Sequence, residues 1–348
     1  MAQRLLITGG AGFIGINAAY YFLAQGWEVT IADNFSRRGS EHNAEELLKV
    51  SGTAATLLKL DLRTDTAALA QAVAAHDAVL HLAAQVAVTT SVTDPTTDFM
   101  INALGTFNVL EAIRLSPNRP PIIYSSTNKV YGGLEARPVV EAETRYQFAE
   151  SNCQQFGIPE TEQLDFHSPY GCSKGAADQY VRDYARIYGL KTLVFRQSCI
   201  YGPHQFGIED QGWVAWFMIA ASQERPVTIY GTGKQVRDLL FAGDLVRLYE
   251  KGFQRIDAVS GNVYNAGGGP NNTLSLHELL PQIEKFSGRP LTISYDSMRT
   301  GDQPIFVADI RKVKQDLEWE PTTSIAEGLV QLWQWINEQA PLISKMLK

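Results

Sequence analysis

Short apolar runs alternate along this chain with longer segments whose apolar positions recur every three or four residues. Arg4-Leu5-Leu6-Ile7-Thr8 reads as a buried strand, and a helical pattern then runs through Leu23 until Gly26 stops it. Glu28–Ala32 reads as a second strand. Further strands are expected over Leu57–Leu60, Ala78–Leu82, Ile122–Tyr124 and Leu190–Arg196, with helices over 66–75, 96–115 and 169–188 between them. This alternation predicts an α/β fold built on a doubly wound parallel sheet. Residues 133–167 are irregular and polar and read as a loop. Beyond residue 203 the alternation weakens. Short elements near 227–230, 235–241, 275–287 and 291–295 predict a smaller mixed α/β lobe, closed by a helix over 324–338 whose stripe is Leu329, Trp333 and Ile336. We therefore expect a first domain over residues 1–180 and a C-terminal lobe over 181–348, some segments of which return to the first.

The turn after the first strand is Gly9-Gly10-Ala11-Gly12-Phe13-Ile14-Gly15. Glycines there allow a tight turn and let the backbone approach a pyrophosphate, which the helix N-terminus attracts. Asp33 closes the second strand, 18 residues after Gly15, where an acid binds an adenosine ribose 2′-hydroxyl. The sheet is thus of Rossmann type. Asp33 would repel a 2′-phosphate, which favours NAD over NADP. Arg37 and Arg38 follow closely, to meet a 2′-phosphate, the diphosphate or solvent. Asp61-Leu62 ends the third strand as an adenine contact, and the small residues of Ala83-Ala84-Gln85 leave room for a cofactor.

Ser168-Pro169-Tyr170-Gly171-Cys172-Ser173-Lys174 places Tyr170 and Lys174 four residues apart, on one helix face. Ser168 suits the N-cap and Pro169 the first helical position. Helix end and ammonium should both lower the Tyr170 pKa, as a general base requires. Thr127 falls at the same edge of the sheet as the glycine turn.

The remaining composition mostly excludes. A net charge of −7 offers no footprint for nucleic acid or an anionic membrane. Cys153, Cys172 and Cys199 are widely spaced, which argues against disulfides or a zinc site and fits a reducing cytoplasm. No signal-peptide layout and no apolar run of membrane length is present. His81 reads as a buried structural histidine, His167 and His204 stay open, and no metal site is expected. Trp213 and Trp216 pack the lobe or shape a pocket, and Lys129 either touches substrate or is solvated.

Four stretches together resemble the extended short-chain dehydrogenase/reductase family, in the branch that modifies nucleotide sugars. They are Thr8–Gly15, His81-Leu82-Ala83-Ala84, Ser125-Ser126-Thr127 with Val130-Tyr131-Gly132, and Tyr170-x-x-x-Lys174. The likeness continues through Arg196…Tyr201-Gly202-Pro203, Val236-Arg237-Asp238 and Arg299-x-x-Asp302. It implies an NAD-dependent isomerase that transiently oxidises its sugar, with Thr127, Tyr170 and Lys174 as catalytic residues. NAD would be held by Gly9, Gly12, Phe13, Ile14, Gly15, Asp33, Asn34, Ser36, Arg37, Asp61, Leu62, Leu82, Ala83, Ala84, Gln85, Asn102 and Ser125, besides Tyr170 and Lys174. The substrate would meet Thr127, Asn128, Cys199, Gln205, Arg237 and Arg299, where each arginine suits a diphosphate or a surface ion pair. The 4,6-dehydratases carry Asp-Glu directly after the threonine, whereas this chain has Asn128-Lys129. The strings Asp165–Tyr180 and Asp210–Phe217 are most similar to C2 epimerases of CDP-sugars. At Cys199 many 4-epimerases have asparagine. Alternatives are a 4-epimerase or reductase of another nucleotide sugar, or a non-catalytic NAD-sensing or RNA-binding protein. The family also implies a homodimer through helices near 96–115 and 169–188.

Overall fold

A computed structural model describes residues 2–299 and 302–347. Seven strands form the central sheet: β1 (Arg4–Thr8), β2 (Glu28–Asp33), β3 (Ala55–Lys59), β4 (Ala78–His81), β5 (Ile122–Thr127), β6 (Thr192–Gln197) and β7 (Val263–Ala266). Their order is β7-β6-β5-β4-β1-β2-β3, and every pairing is parallel. Strands β4, β6 and β7 are buried at every position. Such burial follows from covering both faces of a parallel sheet, and it explains their continuous apolar runs. Alternate residues feed opposite faces. Leu5 and Ile7 pack with Ile16, Phe22 and Tyr249, whereas Leu6 packs with Val109, Ile113 and Val181. The strand order reverses between β1 and β4, which opens a crevice at their carboxyl ends.

Three helices carry the residues that matter most: α1 (Phe13–Ala24), α2 (Ser40–Ser51) and α3 (Ser168–Tyr188). The smaller lobe contains α4 (Trp213–Ser222) and a strand, Val236–Phe241, flanked by Cys199–Tyr201, Thr273–Ser275 and Ile305–Phe306. Its core joins Val214, Phe217, Leu279, Leu329, Leu332, Trp335 and Ile336. Among the described residues no helix is long and apolar enough to cross a membrane.

Several expectations need correction. Residues 133–167 are not all loop: Val139–Glu141 pairs antiparallel with Tyr146–Phe148, and Ser151–Phe156 is helical. The 96–115 helix contains a π-helical stretch at Met100–Leu104. The stripe of the last long helix runs through Leu332 and Trp335, while Trp333 lies at its margin against Phe286. Helix α2 and strand β7 have no counterpart among the expected elements. β7 reads Val-Tyr-Asn-Ala, and Asn265 interrupts the apolar run that marks the other buried strands.

One polar contact fixes α3 against the sheet. The Arg196 guanidinium on β6 donates from Nε and Nη2 to the Asp178 carboxylate, at 2.9 and 3.0 Å. Ser126 Oγ on β5 donates to the same carboxylate at 2.8 Å. The pair is 2% and 0% exposed, so removing either partner strands a buried charge. Arg196→Met should cost about 3–5 kcal/mol in denaturant unfolding. Arg186→Ala, which breaks an exposed pair with Asp183, should cost under about 1 kcal/mol.

Candidate active site

The carboxyl ends of β1, β2, β4 and β5 open onto a cavity of about 430 Å³. At one end the glycine turn crosses β4. Gly9 has φ 70°, and a Cβ there would lie 2.7 Å from the Ala83 backbone. A Cβ on Gly15 would overlap the Gly9 carbonyl oxygen. Gly12 caps α1 without a side-chain hydrogen bond, which leaves the first-turn amides for an anion. Asp33 Oδ2 accepts from the Ala11 amide at 3.1 Å, and Oδ1 from the Phe35 amide at 2.8 Å. Burial pushes its carboxyl pKa up against these amides.

Gly9, Gly12, Phe13, Ile14, Gly15, Asp33, Asn34, Ser36, Arg37, Asp61, Leu62, Leu82, Ala83, Ala84, Gln85 and Ser125 all line this cavity. Arg63 clasps Asp61 at 3.0 and 2.7 Å and holds that carboxyl well below the usual carboxylate range. Asn102 departs from expectation. It stands behind the wall, accepting from the Gln85 amide at 2.9 Å and donating to Ser173 Oγ at 3.1 Å. It therefore ties the Gln85 loop to α3 rather than facing the cavity. Asn43, on α2, does line it, although nothing in the sequence pattern marks this residue. Its Nδ2 donates to the Ala11 carbonyl at 3.1 Å, while its Oδ1 is buried with no partner among the described residues. An orphaned acceptor beside a cradle too tight for a Cβ fits a dinucleotide's hydroxyls and phosphates.

Tyr170, Lys174 and Thr127 meet at the other end. The N-cap of α3 is His167, which makes no side-chain cap bond, rather than the expected Ser168; Ser168 is the first helical residue, with φ 64° and its Oγ accepting from the Gly171 amide at 3.2 Å. The Tyr170 amide donates to Ser91 Oγ at 3.1 Å, and Thr127 lies near enough to the Tyr170 hydroxyl to favour its ionised form. Lys174 Nζ donates to the Ser125 carbonyl at 2.5 Å and lies 4.4 Å from the Tyr124 ring centre. Burial pulls Lys174 down to about 7, against the pull of Asp178 and Asp98. Burial pushes Tyr170 up to about 12, opposed by Thr127 and reinforced by Asp98. The expected lowering by helix end and lysine is therefore outweighed. The pocket by itself keeps Tyr170 a phenol.

The substrate candidates divide. Cys199 and Gln205 line the cavity, as do Trp213, one of the two tryptophans read as packing the lobe or shaping a pocket, and Gln197, which was not among the expected contacts. Burial lifts the Cys199 thiol to about 12. Asn128, Arg237 and Arg299 lie outside the lining. Asn128 Nδ2 donates to Gln303 Oε1 at 3.1 Å. Arg237 pairs with Asp302 at 2.5 Å, and Arg299 pairs with Asp210 at 2.9 Å while covering the Tyr230 ring. His81 bridges Thr8 and Thr106 and is held neutral by burial, as a structural histidine should be. His204 stacks on Tyr20, and His167 pairs with Asp165 and Glu135 on an exposed face.

A family profile described as GDP-mannose 4,6 dehydratase matches residues 6–332. The chain belongs to that family. It is 44% identical over 340 residues to a CDP-paratose 2-epimerase from Salmonella typhi, covering 96% of this chain and 99% of that one. A UDP-glucose 4-epimerase from Thermotoga maritima, solved with UDP-glucose, is 29% identical with a TM-score of 0.80 over 97% of this chain and 100% of its own. A UDP-glucose 4-epimerase from Thermus thermophilus, solved as an NAD complex, is 29% identical with a TM-score of 0.78 over 96% and 99%.

Gly15→Ala should force the turn open, since its Cβ meets backbone rather than a movable side chain. The purified variant should carry less than about a tenth of the wild-type dinucleotide, read by chromatography of the heat-released cofactor.

Proposed function

We propose that the chain epimerises a CDP-sugar at C2, in the manner of a CDP-paratose 2-epimerase, with NAD as its resident cofactor. The observation that carries this reading is the meeting of Tyr170 and Thr127 at one end of a cavity whose other end is the glycine turn and Asp33. The 44% identity to the CDP-paratose 2-epimerase supports the choice of CDP-sugar. Asn128 and Lys129 occupy the positions of the dehydratases' Asp-Glu pair. Asparagine cannot donate and remove protons there, which disfavours water elimination despite the family's description.

Bound NAD supplies a hydride acceptor that can return what it takes. The protein's own groups do the rest. The first-turn amides of α1, Asp33 and Asn43 would hold the adenosine diphosphate half, and Lys174 the nicotinamide ribose. Tyr170 would remove the proton from the sugar hydroxyl. Its pKa of about 12 in the pocket alone means that added positive charge is needed to make it a base near neutral pH. Thr127, beside the Tyr170 hydroxyl, would orient the reacting oxygen. The three free thiols suit a cytoplasmic location. Phe99, Phe107, Tyr180, Ile187 and Tyr188 leave apolar surface on the 95–115 and 168–188 helices, where a second copy would dock.

Incubation with CDP-, UDP-, GDP- and dTDP-sugars, followed by NMR of the products, tests the assignment. CDP-paratose should convert to its C2 epimer, and conversion of UDP-sugars at C4 alone would refute it. Tyr170→Phe should slow the CDP-sugar reaction at least about a hundredfold while leaving the unfolding midpoint within a few degrees.

A further inference from the structure

The loop between Tyr201 and α4 runs against the elements of the glycine turn. The Asn17 side chain on α1 donates to the Pro203 carbonyl at 2.9 Å and to the Phe13 carbonyl at 2.8 Å, which ties this loop to the first turn of α1. His204 stacks on Tyr20 of the same helix, with ring centres 5.4 Å apart. Burial pulls the His204 pKa down, so the ring packs as a neutral aromatic. Phe206 reaches the start of α2. Gly39, the N-cap of α2, has φ 84°, and a Cβ there would overlap the Phe206 ring. Phe206 also meets His42 edge-on at 6.1 Å and Trp335 at 5.1 Å, and Trp335 belongs to the core of the smaller lobe. One loop is thus pinned to α1, to α2 and to its own lobe.

Gln205 sits between these anchors. It lines the cavity and is only 9% exposed. Its Nε2 donates to the Ile200 carbonyl at 3.4 Å and lies where a Cβ on Gly212 would come within 2.7 Å. Its Oε1 is buried with no partner among the described residues, as is Asn43 Oδ1 in the same cavity. Unmet acceptors suit the hydroxyls of a dinucleotide rather than its phosphates, whose oxygens are acceptors themselves. We propose that Gln205 accepts a hydrogen bond from a ribose hydroxyl of the resident dinucleotide, and that His204–Phe206 is a clasp over it, so that the cofactor leaves only when this loop lifts. This rests on NAD as the resident cofactor, part of the reading above, and departs from the family likeness, which put Gln205 on the sugar. A cofactor that must return its hydride to the same sugar gains from such closure, because loss of the reduced form would strand the oxidised sugar.

Exchange of the bound cofactor of the purified holoprotein against excess isotope-labelled NAD, followed by gel filtration, tests this. Gln205→Leu keeps the size and removes the acceptor, and should exchange at least about tenfold faster than wild type. Phe206→Ala frees the loop from Gly39 and Trp335 and should do the same, with Phe206→Leu as the second variant should Phe206→Ala fail to fold. Ile283→Val, a small core loss in the same lobe away from the cavity, should stay within about threefold of wild type. If Ile283→Val exchanges as fast as the Phe206 variant, general loosening replaces the clasp. Unchanged exchange in the folded Phe206 variants overturns the clasp. Unchanged exchange in Gln205→Leu overturns its assignment, and a raised KM for the CDP-sugar would place it on the sugar instead. Wild type that carries no NAD and binds none on titration overturns the resident-cofactor reading, and this inference with it.

Discussion

The buried contact between Asp178 and Arg196 sets the position of everything in the site. Asp178 lies on α3 two turns beyond Tyr170, and Arg196 lies near the carboxyl end of β6. With Ser126 bonded to the same carboxylate, three elements are locked in one register: the Tyr170–Lys174 helix, the Thr127 strand and the strand leading to Cys199. The lock extends outward. Arg196 reaches the Tyr131 hydroxyl, which donates to Asn265 on β7. Apolar packing would hold these elements together but would tolerate sliding. A bidentate pair with no water to replace it does not.

That enclosure also sets the chemistry. Water exclusion costs both ionised forms, so Tyr170 is held protonated and Lys174 is brought to about 7. A tyrosine in this state is a poor base until positive charge is brought beside it.

Much of this is legible in the chain. Strands β1, β2, β4, β5 and β6 stand out because parallel strands buried on both faces need unbroken apolar runs. The glycine turn and Asp33 are legible because each meets a backbone demand that few residues satisfy. What the sequence hides depends on tertiary context. Asn43 sits on the buried stripe of α2 with Ser40, Ala44 and Leu47, but nothing local reveals that its carboxamide meets the Ala11 carbonyl. Asn102 lies on the expected helix but faces Gln85 and Ser173, a direction that sequence spacing does not reveal. The Tyr170 pKa moves opposite to the expectation because the helix end and lysine are visible in sequence, whereas burial is not.

The central claim is that this enclosed site inverts C2 by oxidation and return of the same hydrogen. The direct measurement is NMR of CDP-paratose incubated with the enzyme in D₂O. The account predicts an inverted product that keeps protium at C2. Deuterium incorporated at C2 would show that the hydrogen exchanges with solvent during inversion, and would contradict it.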